Sequence, residues 1–412
     1  MALLTDMFRT EVSKSKDLSM AAEATPDIGY NTGYANFDFL NGHFYDINND
    51  EKNIHKRVLV TGITDGSFNM IIGRTGCGKS TFTEQIAANI VRPFKTSTIF
   101  IDSTESMSMT WDRRESISGL HGDELKNRYI VRDSGISAEN FYKRIKMIYN
   151  MKMSNKEKFM YDTGRIDSFG NKIYKFEPTV YILDSIPLLE PENEFERDEL
   201  GGNMTTTAAA KVITQIFRGI IQPLKAANII LFGINHILSA VQIGPFPSKP
   251  DLAYLKPGET LPRGRTVSYL ANTVIRLDDA TKLKSSEKYK VDGSLVNVSL
   301  VKTRSTYSNK HTPLVLNFAT GFDPIISALV FMQNTDRIHG AGIGLYLDDH
   351  NDMKFSMGNF KTKLQENPEF AKVFTKAYTE ELLKLPTPPP DNSIFDMNMK
   401  LNNAIMGNMK LE

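Results

Sequence analysis

Phe68–Val91 reads FNMIIGRTGCGKSTFTEQIAANIV, and the order of its parts decides the fold. The apolar run Phe68–Ile72 predicts a buried strand. Behind it, Gly73–Thr81 reads GRTGCGKST and fits the G-x-x-x-x-G-K-[ST] pattern of a phosphate-binding loop. Phe82, Ile86 and Ile90 then recur at i, i+4 and i+8, which predicts a helix over Thr81–Val91 with one buried face. A strand that delivers a glycine turn into a helix aims several backbone N–H groups, and the helix's positive end, at one point. Gly73, Arg74, Thr75, Gly76, Cys77, Gly78, Lys79, Ser80 and Thr81 are therefore expected to cradle a nucleoside triphosphate. Lys79 is expected to reach its β- and γ-phosphates, and Ser80 to offer a hydroxyl to Mg²⁺.

The chain has 412 residues, 41% hydrophobic and 24% charged, an ordinary globular composition with room for one large unit and a smaller one. Its net charge of +1 means that any nucleic-acid surface must be local. The single cysteine, Cys77, excludes an intrachain disulfide and fits a reducing compartment. It reads as an oxidation-sensitive thiol or, preferably, as a small residue tolerated in the loop. No apolar stretch approaches a membrane span. Met1–Met20 holds Asp6, Glu11 and Asp17 without a clean hydrophobic stretch, which argues against a signal peptide. An intracellular protein with no membrane partner is expected.

Residues 1–56 read as polar and irregular. From Thr61 to about Phe322, apolar runs alternate with longer helical patterns: Thr98–Ile101, Val180–Leu183, Ile229–Ile234, Val274–Leu277 and Val296–Val301. Strand–helix alternation beginning with a phosphate loop predicts an α/β fold, a mostly parallel sheet flanked by helices. Val274–Leu277 and Leu295–Val301 flank a charged turn and predict an antiparallel hairpin added to that sheet. Ser154–Pro178 reads as an insertion or surface hairpin, and proline-rich Leu238–Arg265 as a long functional or mobile loop. The expected organisation is an arm and lead-in (1–60), a core (61–322), a small C-terminal α/β region (323–385) and a Pro-rich spacer with tail (386–412).

Thr179–Ser185, TVYILDS, predicts a buried strand ending in Asp184, which is expected to hold Mg²⁺ opposite Ser80, directly or through a ligand of the ion. TIFIDSTES ends the strand after the loop's helix and supplies Asp102 and Glu105. Hydrolysis needs a group to orient or deprotonate water; Glu105 is favoured and Asp102 competes. Ile229–Ile234 ends in Asn235 and His236, an amide and an imidazole able to sense a γ-phosphate just ahead of the long loop.

In this order the parts resemble the RecA recombinase family, especially its phage members of the UvsX type. The resemblance runs from about Tyr30 to Asp323, through NTGYANFDFLNG, GRTGCGKST, FIDSTE, YILDSIPLL, the stretch from Thr205 to His236, and VSLVKTRS. It implies a RecA-like P-loop ATPase core with ATP and Mg²⁺ as cofactors. Glu105 would be the catalytic acid, although Asp102 and Glu105 stand one residue further apart than in the usual pattern. Asn235 and His236 would be the γ-phosphate sensor, and Lys302 and Arg304 the pair that reaches the adjacent subunit's ATP. By period two, Lys302 and Arg304 also project to one side with Val296, Val298 and Leu300.

The resemblance further implies a homo-oligomeric helical filament on single-stranded DNA that pairs it with double-stranded DNA, aided by a mediator or single-strand-binding protein. A phage gene expressed in an infected bacterial cell would be its source. DNA contact would fall to two loops and a helix. The first loop, Glu190–Met204, is too acidic to hold phosphates along its length. Lys211 and Arg218, seven apart, share a helical face behind it. The second loop carries Lys249, Lys256, Arg263 and Arg265 with Phe246 and Tyr254, cations interleaved with rings as single strands require. Leu3, Leu4, Met7 and Phe8 stand where the family has its polymerisation arm, with a plain terminus as the alternative. The rival readings are a hexameric replicative helicase on the same core and a non-catalytic, ATP-gated filament scaffold.

Overall fold

The computed structural model describes residues 27–49, 53–104, 109–132, 135–167, 170–192, 205–240, 250–284 and 291–388, with Met397 and Met399. In chain order the first elements are β1 (Gly29–Tyr30), α1 (Ala35–Leu40), β2 (His43–Asn49), β3 (Ile54–Val60), β4 (Ile63–Thr64), β5 (Phe68–Gly73) and α2 (Lys79–Val91). There follow β6 (Ile99–Ser103), α3 (Trp111–Ser118), α4 (Gly122–Arg128), β7 (Tyr129–Arg132), α5 (Ala138–Ser154), α6 (Lys156–Phe159), β8 (Met160–Ile166), β9 (Lys172–Phe176) and β10 (Thr179–Asp184). Next come α7 (Thr205–Ala226), β11 (Ile229–His236), β12 (Leu238–Ser239), β13 (Glu259–Thr260), α8 (Gly264–Leu270), β14 (Thr273–Leu283), β15 (Gly293–Thr303), β16 (Lys310–Asn317) and β17 (Gly321–Asp323). The C-terminal elements are α9 (Pro324–Gln333), β18 (Ile338–His339), β19 (Tyr346–Leu347), α10 (Phe360–Glu366) and α11 (Pro368–Leu382).

The fold is α/β. Nine of the described strands form one sheet in the order β17-β16-β15-β14-β5-β11-β10-β6-β7. From β14 to β7 the neighbours run parallel; β14, β15, β16 and β17 add an antiparallel meander at one edge. Helices cover both faces because the parallel strands bury both faces. Along β5, Phe68, Met70 and Ile72 join the apolar cluster under α5 and α7, whereas Ile71 joins the cluster under α2. In α7 the buried residues Ile213, Ile216, Phe217, Ile220 and Leu224 keep helical spacing and seal one face.

The lead-in differs from its expected irregularity. Residues 27–60 hold α1 and the antiparallel β2–β3 hairpin, and Tyr34 and Phe37 pack on Phe82 of α2 with ring centroids 5.9 and 5.7 Å away. His55, Lys56 and Arg57, exposed in succession on both sides of β3, break the apolar alternation. Ser154–Pro178 does hold a surface hairpin, β8 on β9. Beyond β17, a third apolar cluster gathers Leu329, Phe355, Phe360, Phe370 and Phe374 against Leu283 and Val315 of the meander. Lys310 Nζ donates to the carbonyls of Leu40 and Leu385 at 3.3 and 2.8 Å, and the Thr387 N–H to Gly42 O at 2.9 Å, which ties the end of the C-terminal region to the lead-in. Among the described residues no helix is long and apolar enough to cross a membrane.

Candidate functional site

The turn between β5 and α2 is built on glycines. Gly78 takes φ +87 at the helix N-cap, where a Cβ would stand 2.9 Å from Leu316 Cδ2. Both the left-handed backbone and the close side chain call for glycine there. The helix has no side-chain cap and no acid in its first turn, so its leading N–H groups and positive end are left for an anion. Cys77 is buried, and burial pushes its thiol pKa up. A protonated, shielded thiol is a poor nucleophile, so Cys77 reads here as a small packing residue.

Parallel strands of an open sheet deliver their ligand-binding groups at their C-terminal ends. There, Ser80 Oγ donates to Asp184 Oδ2 at 2.7 Å, and Lys79 Nζ donates to Gly73 O and Arg74 O at 3.0 and 2.8 Å. A cavity of about 350 Å³ is lined by Thr75, Gly76, Lys79, Ser80, Thr81 and His236. Beside it, one of about 420 Å³ is lined by Ser80, Asp184, Ser103, Glu84 and Arg114. Two residues that sequence reasoning passes over stand here: Arg113 lines both cavities, and the half-exposed Phe318 ring lines the first. Neither carries a local signal, since each reaches the loop only through long-range packing. Asn235 is buried, its side chain donating to Pro262 O at 3.0 Å and accepting from the His236 N–H at 2.7 Å.

Asp102, the competitor of Glu105, does not face the cavities. It pairs in register with Leu183 while Ser103 pairs with Asp184, so its side chain turns to the face of the sheet opposite Ser103 and the cavity. There its carboxylate accepts from the Tyr181 hydroxyl and pairs with Arg144. Burial raises its pKa to about 6 against the pull of the arginine. Glu105 lies outside the described residues. Thr104, just before it, is tied to the β10 end: its N–H donates to Asp184 O at 2.7 Å and its hydroxyl to Ser185 O at 3.0 Å.

Lys302 and Arg304 line neither cavity. A register shift opposite Val274–Ile275 interrupts the period-two pattern between Leu300 and Lys302, yet both cations still reach the same place, the C-terminal end of α8. Lys302 Nζ donates to the carbonyls of Ser268, Tyr269 and Ala271 at 2.6, 2.9 and 2.9 Å, and Arg304 Nη2 to Tyr269 O at 2.9 Å. Burial, with Arg304 nearby, lowers the Lys302 pKa to about 8.

Of the residues expected on DNA, Lys211 and Arg218 are exposed on α7, and Arg263 and Arg265 are exposed at the start of α8. Arg263 and Arg265 line a cleft against Ala210 and Thr214 of α7. Tyr254 packs on the apolar cluster, its carbonyl accepting from Arg276, so its ring does not stand free for a base. Lys256 is exposed but lies 3.6 Å from Asp278. Phe246 and Lys249 lie outside the described residues, as does most of the acidic loop before α7. No protein-family model matches the chain, and no curated protein matches it.

Proposed function

We propose that the chain is an ATP-dependent recombinase with a RecA-like P-loop core, which forms helical filaments on single-stranded DNA and exchanges strands with a homologous duplex. The observation that carries the reading is the convergence of Lys79, Ser80, Asp184 and His236 on adjoining cavities at the carboxyl ends of β5, β10 and β11. That is where open parallel sheets take phosphorylated ligands.

In this reading Lys79 swings from the Gly73 and Arg74 carbonyls to the β- and γ-phosphates, while the first N–H groups of α2 hold the polyphosphate. The Ser80 hydroxyl and the Asp184 carboxylate are hard oxygen donors that suit Mg²⁺, with phosphate oxygens and water completing its shell. Bound there, Mg²⁺ would offset the charge that builds on the β–γ bridge as that bond breaks. Water attacks the γ-phosphorus, ADP leaves, and Glu105 takes the water's proton. Asn235 and His236 read the γ-phosphate, and through Pro262 the amide is already in contact with the loop before α8. Arg113 and Phe318 supply a guanidinium and a ring for the base. Lys302 and Arg304 would leave α8 for the nucleotide of the adjacent subunit.

DNA would lie along α7 and the start of α8, where Arg263 and Arg265 line a cleft and Lys211 and Arg218 are exposed on α7. The test is ATP turnover with and without single-stranded DNA, with negative-stain images of the same samples in a slowly hydrolysed analogue. Strong stimulation with helical filaments is expected. Closed rings would favour a hexameric helicase, and filaments without turnover a scaffold.

A further inference from the structure

Both ends of the loop between β11 and α8 are fastened to the glycine-rich loop. At its start the Ile237 N–H donates to Gly73 O at 3.0 Å. Near its end the Arg74 guanidinium stands 3.7 Å from the Glu259 carboxylate. Glu259 is 5% exposed. Its carboxylate accepts from Arg276 Nη1 and Nη2 at 2.8 and 2.9 Å and from the Lys256 N–H at 2.9 Å. Arg276, equally buried, also donates to Asp278 at 2.8 and 3.0 Å and to Tyr254 O at 3.1 Å. Residues 254–260 therefore sit in a buried charge network, and Arg74, its side chain 71% exposed, enters that network from the glycine-rich loop.

We propose that Glu259 is a positioning residue that couples occupancy of the glycine-rich loop to the conformation of the 250–263 segment through Arg74. The proposal rests on the reading that Gly73–Thr81 takes a nucleoside triphosphate. Lys79 Nζ donates to the Arg74 carbonyl at 2.8 Å, and the Arg74 side chain faces Glu259. A polyphosphate draws the Lys79 ammonium off that carbonyl and offers the Arg74 guanidinium a more highly charged partner than one carboxylate. Glu259 is then left to Arg276, and 254–260 loses its tie to the loop. A single exposed ion pair is a weak link, so the coupling is few-fold rather than all-or-none.

Hydrogen exchange over 250–263 tests this in the full chain, at a concentration where light scattering shows no assembly, with and without saturating Mg²⁺ and a non-hydrolysable ATP analogue. Each protein is brought to saturation in its own fluorescence titration. In the wild type, nucleotide is expected to speed exchange of this segment by about two- to fivefold. Arg74→Gln and Glu259→Gln are each expected to exchange at the faster rate from the start, with a further response well below that of the wild type, since the Asn235–Pro262 contact still joins the segment to the site. Glu259→Gln also disturbs Arg276, so Arg74→Gln decides the matter should that variant unfold. An Arg74→Gln protein that responds to nucleotide as the wild type does overturns the coupling. A wild type that binds no analogue overturns the nucleotide reading itself. A wild type that binds it with no change over 250–263 overturns the coupling alone.

Discussion

Ser80 and Asp184 are 104 positions apart and meet at 2.7 Å, because β10 ends beside β6, and β11 separates it from β5, where the loop begins. Replacing Asp184 by Asn keeps the shape and removes the charge. Turnover is expected to fall by about 10- to 100-fold, with a higher Mg²⁺ requirement; unchanged Mg²⁺ dependence in steady-state hydrolysis would remove Asp184 from the metal site. A second carboxyl makes a different prediction. Asp38, 3% exposed, accepts from the Thr32 N–H and hydroxyl, and burial lifts its pKa to about 7 despite those bonds. An unfolded aspartate titrates near 3.9. Between about pH 4 and 7 the native chain thus holds a proton that the unfolded chain has lost, and stability falls as pH rises through that window. Asp38→Asn is expected to remove this slope, on the order of 4 kcal/mol over the whole window. Urea unfolding of both proteins at pH 5 and pH 8 reads the difference; parallel losses would show that Asp38 is ionised throughout.

Phe82, in the first turn of α2, is fully buried beneath Tyr34, Phe37 and Phe322, so the lead-in and the far edge of the sheet meet on one ring. Phe82→Ala is expected to destabilise the chain by about 3–5 kcal/mol, measured by urea unfolding; a loss below about 1 kcal/mol would mean that α1 is not packed as described. The central strands are legible in the sequence because, buried on both faces, they read as continuous apolar runs. The order of strand, glycine turn and helix is a local signal too, and Lys79 and Ser80 do stand at the start of α2. The β2–β3 hairpin is not legible, since His55, Lys56 and Arg57 are exposed in succession, on both sides of β3, and leave no apolar rhythm. Nor are the partners of Tyr254 and Lys256, because Arg276 and Asp278 lie on β14, beyond β13 and α8, and no spacing announces them. On α7, Arg218 faces solvent as its spacing from Lys211 predicts. If it meets a phosphate, Arg218→Ala should lessen the slope of log affinity for oligothymidine against log salt by about 0.7, and an unchanged slope would take it off the DNA.

Lys302 and Arg304 pose the largest question about how copies of the chain would work together. Within one chain they hold the carbonyl end of α8 and line neither cavity, so a role in hydrolysis requires a second copy to bring its nucleotide to them. A contact of this kind is head-to-tail: one surface carries the glycine-rich loop and a different surface carries the cations, and repetition gives an open filament or a ring. That asymmetry makes a prediction no single-chain site shares. Lys79→Ala spoils one side of every interface and Lys302→Ala the other, so each variant alone is expected to have no DNA-stimulated turnover. Mixed in equal amounts, about one interface in four joins an intact loop to an intact cation pair, and turnover is expected to return to about that fraction of the wild type. The mixture is assayed against each variant alone, on the same single-stranded DNA and at the same total protein. A mixture as inactive as its parts would place both residues in one chain's site, or Lys302 in support of α8 alone. Wild-type turnover by Lys302→Ala on its own would remove the pair from hydrolysis altogether.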